Sequence, residues 1–221
     1  MRRVVASLLA FVLTQACVLS EHEDGIAIAV SLAHQHTGAW PDGVTLAHAY
    51  VAVTSIELER CPDEAIARAA ELGWGGVAHA HTLGTPTRLG VPVVEDLLGP
   101  DDAPRVVGTL AAPPGRYCSV RITVGPADSD ALGLPSEPSM LGMSALLDGQ
   151  AKGAPLHSTC ASDQVARVAL AAPLEVSAEN RAAGLLLTID AARLLDGVDL
   201  TNQASVACAA AANAVGTVLP N

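Results

Sequence analysis

From Ile26 onward, apolar side chains recur at every second position: Ile26, Ile28, Val30 and Leu32 share one phase, against Ala27, Ala29, Ser31 and Ala33 on the other. A period of two puts one phase on one face of an extended strand, and no helix turns such a pattern into an apolar stripe. The pattern returns along the chain. Between 44 and 59, Val44, Leu46, His48, Tyr50, Ile56 and Leu58 share a phase, with Glu57 and Glu59 on the other. This predicts one long strand, or two with a bulge near Ala52. Pro113-Pro114-Gly115 is a turn signal that launches a further strand. There Cys118, Val120, Ile122 and Val124 are expected inward, and Tyr117, Ser119, Arg121 and Thr123 outward.

Shorter strand-like runs lie at 77–83, 91–98, 105–112, 140–147, 165–171, 174–178 and 185–189. Residues 62–72 (PDEAIARAAEL) carry helix signals: Pro at the first position, acids in the first turn and Gly73 after the end. A short helix is expected at 191–196 and an Ala-rich helical tail at 205–215, while 126–139 is loop chemistry rich in Pro, Ser, Asp and Gly. Many short strands with turn signals between them predict a mainly β fold. The expected form is an antiparallel β-sandwich of immunoglobulin-like kind, with one or two short helices and a helical C-terminal tail. Half the residues are hydrophobic but only 2% are aromatic, so the core must be built from small aliphatic side chains. No repeat and no dividing linker interrupts 26–221, which is expected to be a single domain.

The first residues read as an export signal. Arg2 and Arg3 form a basic start, residues 4–13 are apolar, and Thr14-Gln15-Ala16 leads to Cys17. The apolar run is short of the ~20 residues that a spanning helix needs. Residues 1–16 are therefore expected to be a signal peptide, and 17–25 a tether lipid-anchored through Cys17. An ordinary signal peptidase could also cut after Ala16. Cysteine parity favours the lipoprotein, because acylating one of five Cys leaves an even four: Cys61, Cys118, Cys160 and Cys208. In an oxidising compartment these form two disulfides, and of the three connectivities Cys61–Cys118 with Cys160–Cys208 is preferred, joining strand ends and tying down the tail. No C-x-x-C occurs, so a zinc-finger reading fails. The expected location is the periplasmic side of the outer membrane or the cell surface.

Losing residues 1–16 removes two Arg and no acid, which moves the formal charge from −11 to −13. Such a chain is not built to bind nucleic acid, which demands clustered Lys and Arg.

Two His-x-His pairs carry the sharpest chemical hint, His34/His36 and His79/His81. Alternate residues of a strand project from one face, so each pair offers two imidazoles to one ion, copper or zinc among the suitable metals. His79 and His81, beside glycines, are the preferred ligands, with His34, His36 or His48 in support and His22 and His157 in reserve. The contrary reading is that these are ordinary strand histidines, with His48 satisfied within an apolar face. Asp101-Asp102 and Asp128-Ser129-Asp130 read as turn caps, and Trp40 and Trp74 as wedges in an aromatic-poor core. Gly142-Met143-Ser144 lacks the closing glycine of a nucleophile elbow, and no H-E-x-x-H, phosphate loop or dinucleotide fingerprint occurs.

The stretches AYVAVTSIELERC (49–61), AHAHTLGTPTRLGVPVVEDLL (78–98), PPGRYCSVRITVGPADSDALGLP (113–135), SMLGMSALLDG (139–149) and LLLTIDAARLLDGVDL (185–200) resemble uncharacterised bacterial β-sandwich lipoproteins. That resemblance implies the fold and the anchor, with no activity attached. The signal, four Cys, Gly90-Val91-Pro92 and the L-x-G-V-D-L passage ending at Leu200 are more loosely similar to the four-cysteine periplasmic copper-binding proteins of methanobactin gene clusters. The Trp- and Asn-rich motif of that family has no counterpart here. The resemblance implies copper. The leading expectation is thus an envelope lipoprotein that sequesters or delivers a transition metal through histidines. A non-enzymatic module presenting a surface to an envelope partner is the alternative, and a three-His zinc hydrolase is the least supported.

Overall fold

A computed structural model describes residues 25–36, 38–62, 85–101, 103–179, 184–213 and 217–220. The signal, Cys17, the tether as far as Asp24, the helix expected after Pro62, Trp74, His22, His79 and His81 all lie outside the described residues.

Two sheets form. The smaller contains β1 (Ile26–Gln35), β5 (Arg105–Ala112), β10 (Gly184–Asp190) and β11 (Thr217–Pro220), in the order β11-β10-β1-β5. The larger follows the order β8-β7-β2-β6-β9: β2 is Val44–Arg60, β6 Gly115–Val124, β7 Ala145–Ala151, β8 Ala154–Cys160 and β9 Gln164–Val176. Two short strands, β3 (Arg88–Leu89) and β4 (Val93–Asp96), also pair with β2. One apolar core holds side chains of both sheets, including Ile28, Val30, Leu32 and Leu187 from the smaller and Val51, Ile56, Val120 and Leu147 from the larger. Two sheets closing on one core make a β-sandwich. The pairing is not wholly antiparallel, because β1 runs parallel to β10.

β2 is one strand of 17 residues, as its periodicity predicts, and Ala52 is its branch point. The Ala52 amide donates to Ser144 O (2.8 Å), and its carbonyl accepts from the Gly125 amide (3.0 Å). β7 therefore lies along the first half of β2 and β6 along the second. Around this point both faces of β2 are covered. A second apolar cluster joins Tyr50, Ala52, Val94 and Leu146 to Ala127, Ala131 and Met140 of the loop beyond β6.

Several local expectations are corrected. Tyr117, expected outward, is fully buried. The pairing register slips between Glu59 and Arg60 on β2 and between Tyr117 and Ser119 on β6, which reverses the phase at this end of the strand. The Tyr117 hydroxyl donates to Pro113 O at 2.8 Å, which satisfies it in the core. The strand expected at 140–147 begins only at Ala145, and the runs at 165–171 and 174–178 are one strand, β9. The tail is not wholly helical: helix α1 (Gln203–Asn213) is followed by β11. Val206, Ala207, Ala210 and Ala211 form the buried face of α1, and Ala side chains let the helix approach closely enough for the Ala207 amide to donate to Ser158 Oγ of β8 (3.0 Å). Ahead of α1, a 3-10 helix (Ala191–Leu195) starts where Asp190 accepts from the Ala192 amide.

Both expected disulfides are present. Cys61–Cys118 ties the end of β2 to β6, and Cys160–Cys208 ties β8 to α1.

Candidate functional site

β1 sets the site. Its inward phase (Ile28, Val30, Leu32) continues to His34, which is buried at the rim of the sandwich beneath β4. There Glu95, itself buried, points from β4 toward the ring: His34 Nδ1 lies 2.9 Å from Glu95 Oε1. The other ring nitrogen, Nε2, lies 3.2 Å from Gly99 O. Glu95 Oε2 accepts from the Arg105 guanidinium of β5 at 2.7 Å, and the same guanidinium donates to Val94 O at 3.1 Å. A buried carboxylate is thus shared between an imidazole and a guanidinium, the arrangement that makes such a charge tolerable inside a fold. Gly133 is part of the fit. Its φ is +75°, and a Cβ there would lie 2.6 Å from Val94 O and 2.7 Å from the Arg105 guanidinium. A hollow of about 260 Å³ opens beside these groups, between Gly99, Pro100 and Gly133.

His36, two residues on, is half-buried and takes a different partner. Its Nδ1 lies 2.7 Å from Asp101 Oδ1, and its ring meets the edge of Trp40 with centroids 5.3 Å apart. The bond with His36 holds the Asp101 carboxyl below the usual carboxylate range, against a smaller opposing effect of burial. The His34 and His36 rings stand perpendicular with centroids 6.1 Å apart, and Asp101 Oδ1 is 3.9 Å from His34 Nε2. Trp40, expected as a buried wedge, is only half-buried and packs against the main core from its edge. Asp128 accepts from the Asp130 amide, as a turn cap does.

His48 is not brought to this place. It lies on β2, stacked on Tyr50 with ring centroids 6.1 Å apart. Among the described residues, no three His, Cys, Asp or Glu side chains already converge on a point that could hold a metal ion. Both nitrogens of His34 face oxygen acceptors, so ligating an ion would cost a buried hydrogen bond. Ser144, the hydroxyl nearest to an elbow motif in sequence, is fully buried and has no hydrogen-bond partner among the described residues.

Sequence reasoning missed Glu95 and Arg105. The one available signal was an acid ending the short apolar run Val93-Val94-Glu95, where a solvent-facing or paired position had to be chosen. Comparison with protein-family models, with curated proteins and with solved structures gave no match. The class that fold and site define is a disulfide-braced β-sandwich with a buried His–Glu pair at one rim, capped by the exposed Arg105 guanidinium.

Proposed function

We propose that the protein is an exported, lipid-anchored module of the cell envelope that acts by presenting its sandwich surface to a protein partner and not by catalysis. The observation that supports this is how the described histidines are used. His34 is held between Glu95 and Gly99, His36 is paired with Asp101, and His48 belongs to the other sheet. These are the contacts of a rim being locked, with β1, β4 and β5 joined through one carboxylate. The immunoglobulin-like form of the sandwich, the kinship with bacterial β-sandwich lipoproteins, the anchor at Cys17 and the outer-membrane or surface location belong to the same proposal. They are supported by the two-sheet core, the two disulfides and the N-terminal sequence.

A second reading, a carrier of copper or zinc through His79 and His81, has one observation in its favour. His34 and His36 share Asp101 at 3.9 and 2.7 Å, a two-imidazole, one-carboxylate group that a fourth ligand would complete.

The two readings separate in one experiment: metal analysis of the exported full chain, beside His79→Ala/His81→Ala and His34→Ala/His36→Ala variants, with membrane fractionation of Cys17→Ser. The partner-binding reading expects the same copper content in all three proteins, and release of Cys17→Ser from the membrane. One copper per chain that vanishes with His79 and His81 would replace it by the carrier. Membrane retention of Cys17→Ser would remove the lipid anchor.

A further inference from the structure

β2, β7 and β8 run side by side, and their registers align three side chains that sequence separates widely. His48 of β2 is opposite Asp148 of β7, and Asp148 is opposite His157 of β8. Directly opposed residues on antiparallel strands project from the same face, with Cβ atoms about 4.5–5.5 Å apart. The three therefore form one row, imidazole–carboxylate–imidazole, on the outer face of the larger sheet. This is the face that carries Tyr50 in the row above.

Chain lengths within the row matter. The short side chain, Asp, is in the middle, and the two longer rings flank it. Flanking imidazoles that lean inward and a central carboxylate that rises between them can meet a single ion. Two imidazoles and a carboxylate are a donor set for a divalent transition cation. The row is already partly drawn together, since His157 Nδ1 is 3.6 Å from Asp148 Oδ1. Convergence on one ion still requires rotation of side chains. His157 is 68% exposed and Asp148 41%, so both can turn without breaking into the core.

A bulge in β2 aims the first ligand. The register with β7 shifts between Leu46 and His48, and Ala47 is the extra residue. Bulges are a common device for redirecting a side chain. The bulged backbone presses on Gly149, where a Cβ would lie 2.1 Å from Thr45 O. His48 is then steadied by its parallel stack on Tyr50. Beside the row, a shallow hollow of about 370 Å³ lined by Thr45, Ala47, Asp148 and Gln150 leaves room for the water that would complete the coordination.

We propose that His48, Asp148 and His157 form a surface site for one divalent transition cation. The site does not depend on how the chain is anchored, and it shares no residue with the His34/His36 group or with His79 and His81.

The test is calorimetric titration of the full, disulfide-bonded chain with Zn²⁺, followed by His48→Ala, Asp148→Asn, His157→Ala and His79→Ala/His81→Ala variants. The native chain is expected to take up one Zn²⁺, with imidazole NMR signals of His48 and His157 shifting together. Each of the three row variants should weaken binding by at least about tenfold, a loss that even outer-sphere partners of a metal can produce. The His79/His81 variant should bind as the native chain does. His157 is largely exposed, so His157→Ala tests the site even if His48→Ala disturbs the bulge. No saturable Zn²⁺ binding, unchanged affinity in His157→Ala and Asp148→Asn, or complete loss in the His79/His81 variant would each overturn the proposal.

Discussion

At the scale of single residues, charge in this molecule is placed by partners and not by exposure alone. Glu59 shows the consequence. Its carboxylate accepts from Arg167 (2.8 Å), Arg121 (3.0 Å) and the Ser119 hydroxyl (2.9 Å) across β2, β6 and β9. The Arg167 hydrogen bond is the main reason its pKa lies below the usual glutamate value, with burial pulling the other way and Ser119 and Arg121 adding to the lowering. A carboxyl whose folded pKa is depressed lends stability above its unfolded pKa and loses it as pH falls through the folded one. Glu59→Gln should therefore be less stable than the native chain at pH 7. The gap should hold down to about pH 4.3, the ordinary glutamate value, and close below it. Urea unfolding of both proteins from neutral to acid pH measures this, and parallel curves would show that Glu59 is not the linked group. Glu95 is likewise held by partners, its one carboxylate joining the imidazole of β1 to the guanidinium of β5.

At the scale of strands, period-two alternation was enough to find β1 and the long β2, even though β2 buries both faces around Ala52, while β4 and β5 stood out only as short apolar runs. It did not mark β8, whose sequence APLHSTC begins with Ala154-Pro155 and mixes polar with apolar residues on an outer strand. It misjudged Tyr117 because a register slip depends on the neighbouring strand. It gave no warning that β1 pairs in parallel with β10, which is more than 150 residues away in the chain. The candidate site divides in the same way. The phase of β1, carried past Leu32, reaches His34, but Glu95, 61 residues away, is chosen by the packing of β4. Glycine positions carry comparable hidden information. Gly149 faces the bulged backbone of β2, with Thr45 O at 2.1 Å and Leu46 Cα at 2.8 Å from where a Cβ would be. Backbone atoms cannot rotate aside, so Gly149→Ala should destabilise the fold by about 1–3 kcal/mol, the usual cost of overpacking. Gly90→Ala, with nothing within 4 Å of the added methyl, is the control and should be near neutral. Equal urea midpoints for the two variants would mean that β2 and β7 can separate freely at the bulge.

At the scale of the whole molecule, the two disulfides divide the chain into closed rings that share no residue. The first runs from Cys61 to Cys118 and contains β3, β4 and β5; the second runs from Cys160 to Cys208 and contains β9 and β10. Among the described residues, each ring sends one strand into the smaller sheet, and those strands, β5 and β10, are the two neighbours of β1. Neither bond links the sheets directly, yet together they restrict how far the flanks of β1 can stray in the unfolded chain. With separations of 57 and 48 residues, the chain-entropy account gives about 4 kcal/mol for each ring. Separate rings should contribute nearly additively, so removing both costs about 8 kcal/mol. A folded domain has only about 5–15 kcal/mol in all. Cys61→Ala/Cys118→Ala and Cys160→Ala/Cys208→Ala should each fold, with stability lowered by about 4 kcal/mol. The four-cysteine variant, or the native chain in strong reductant, should sit near its unfolding transition at room temperature. Circular dichroism in urea with and without reductant decides the matter. If the reduced chain unfolds at the same midpoint as the oxidised one, the apolar core alone sustains the sandwich.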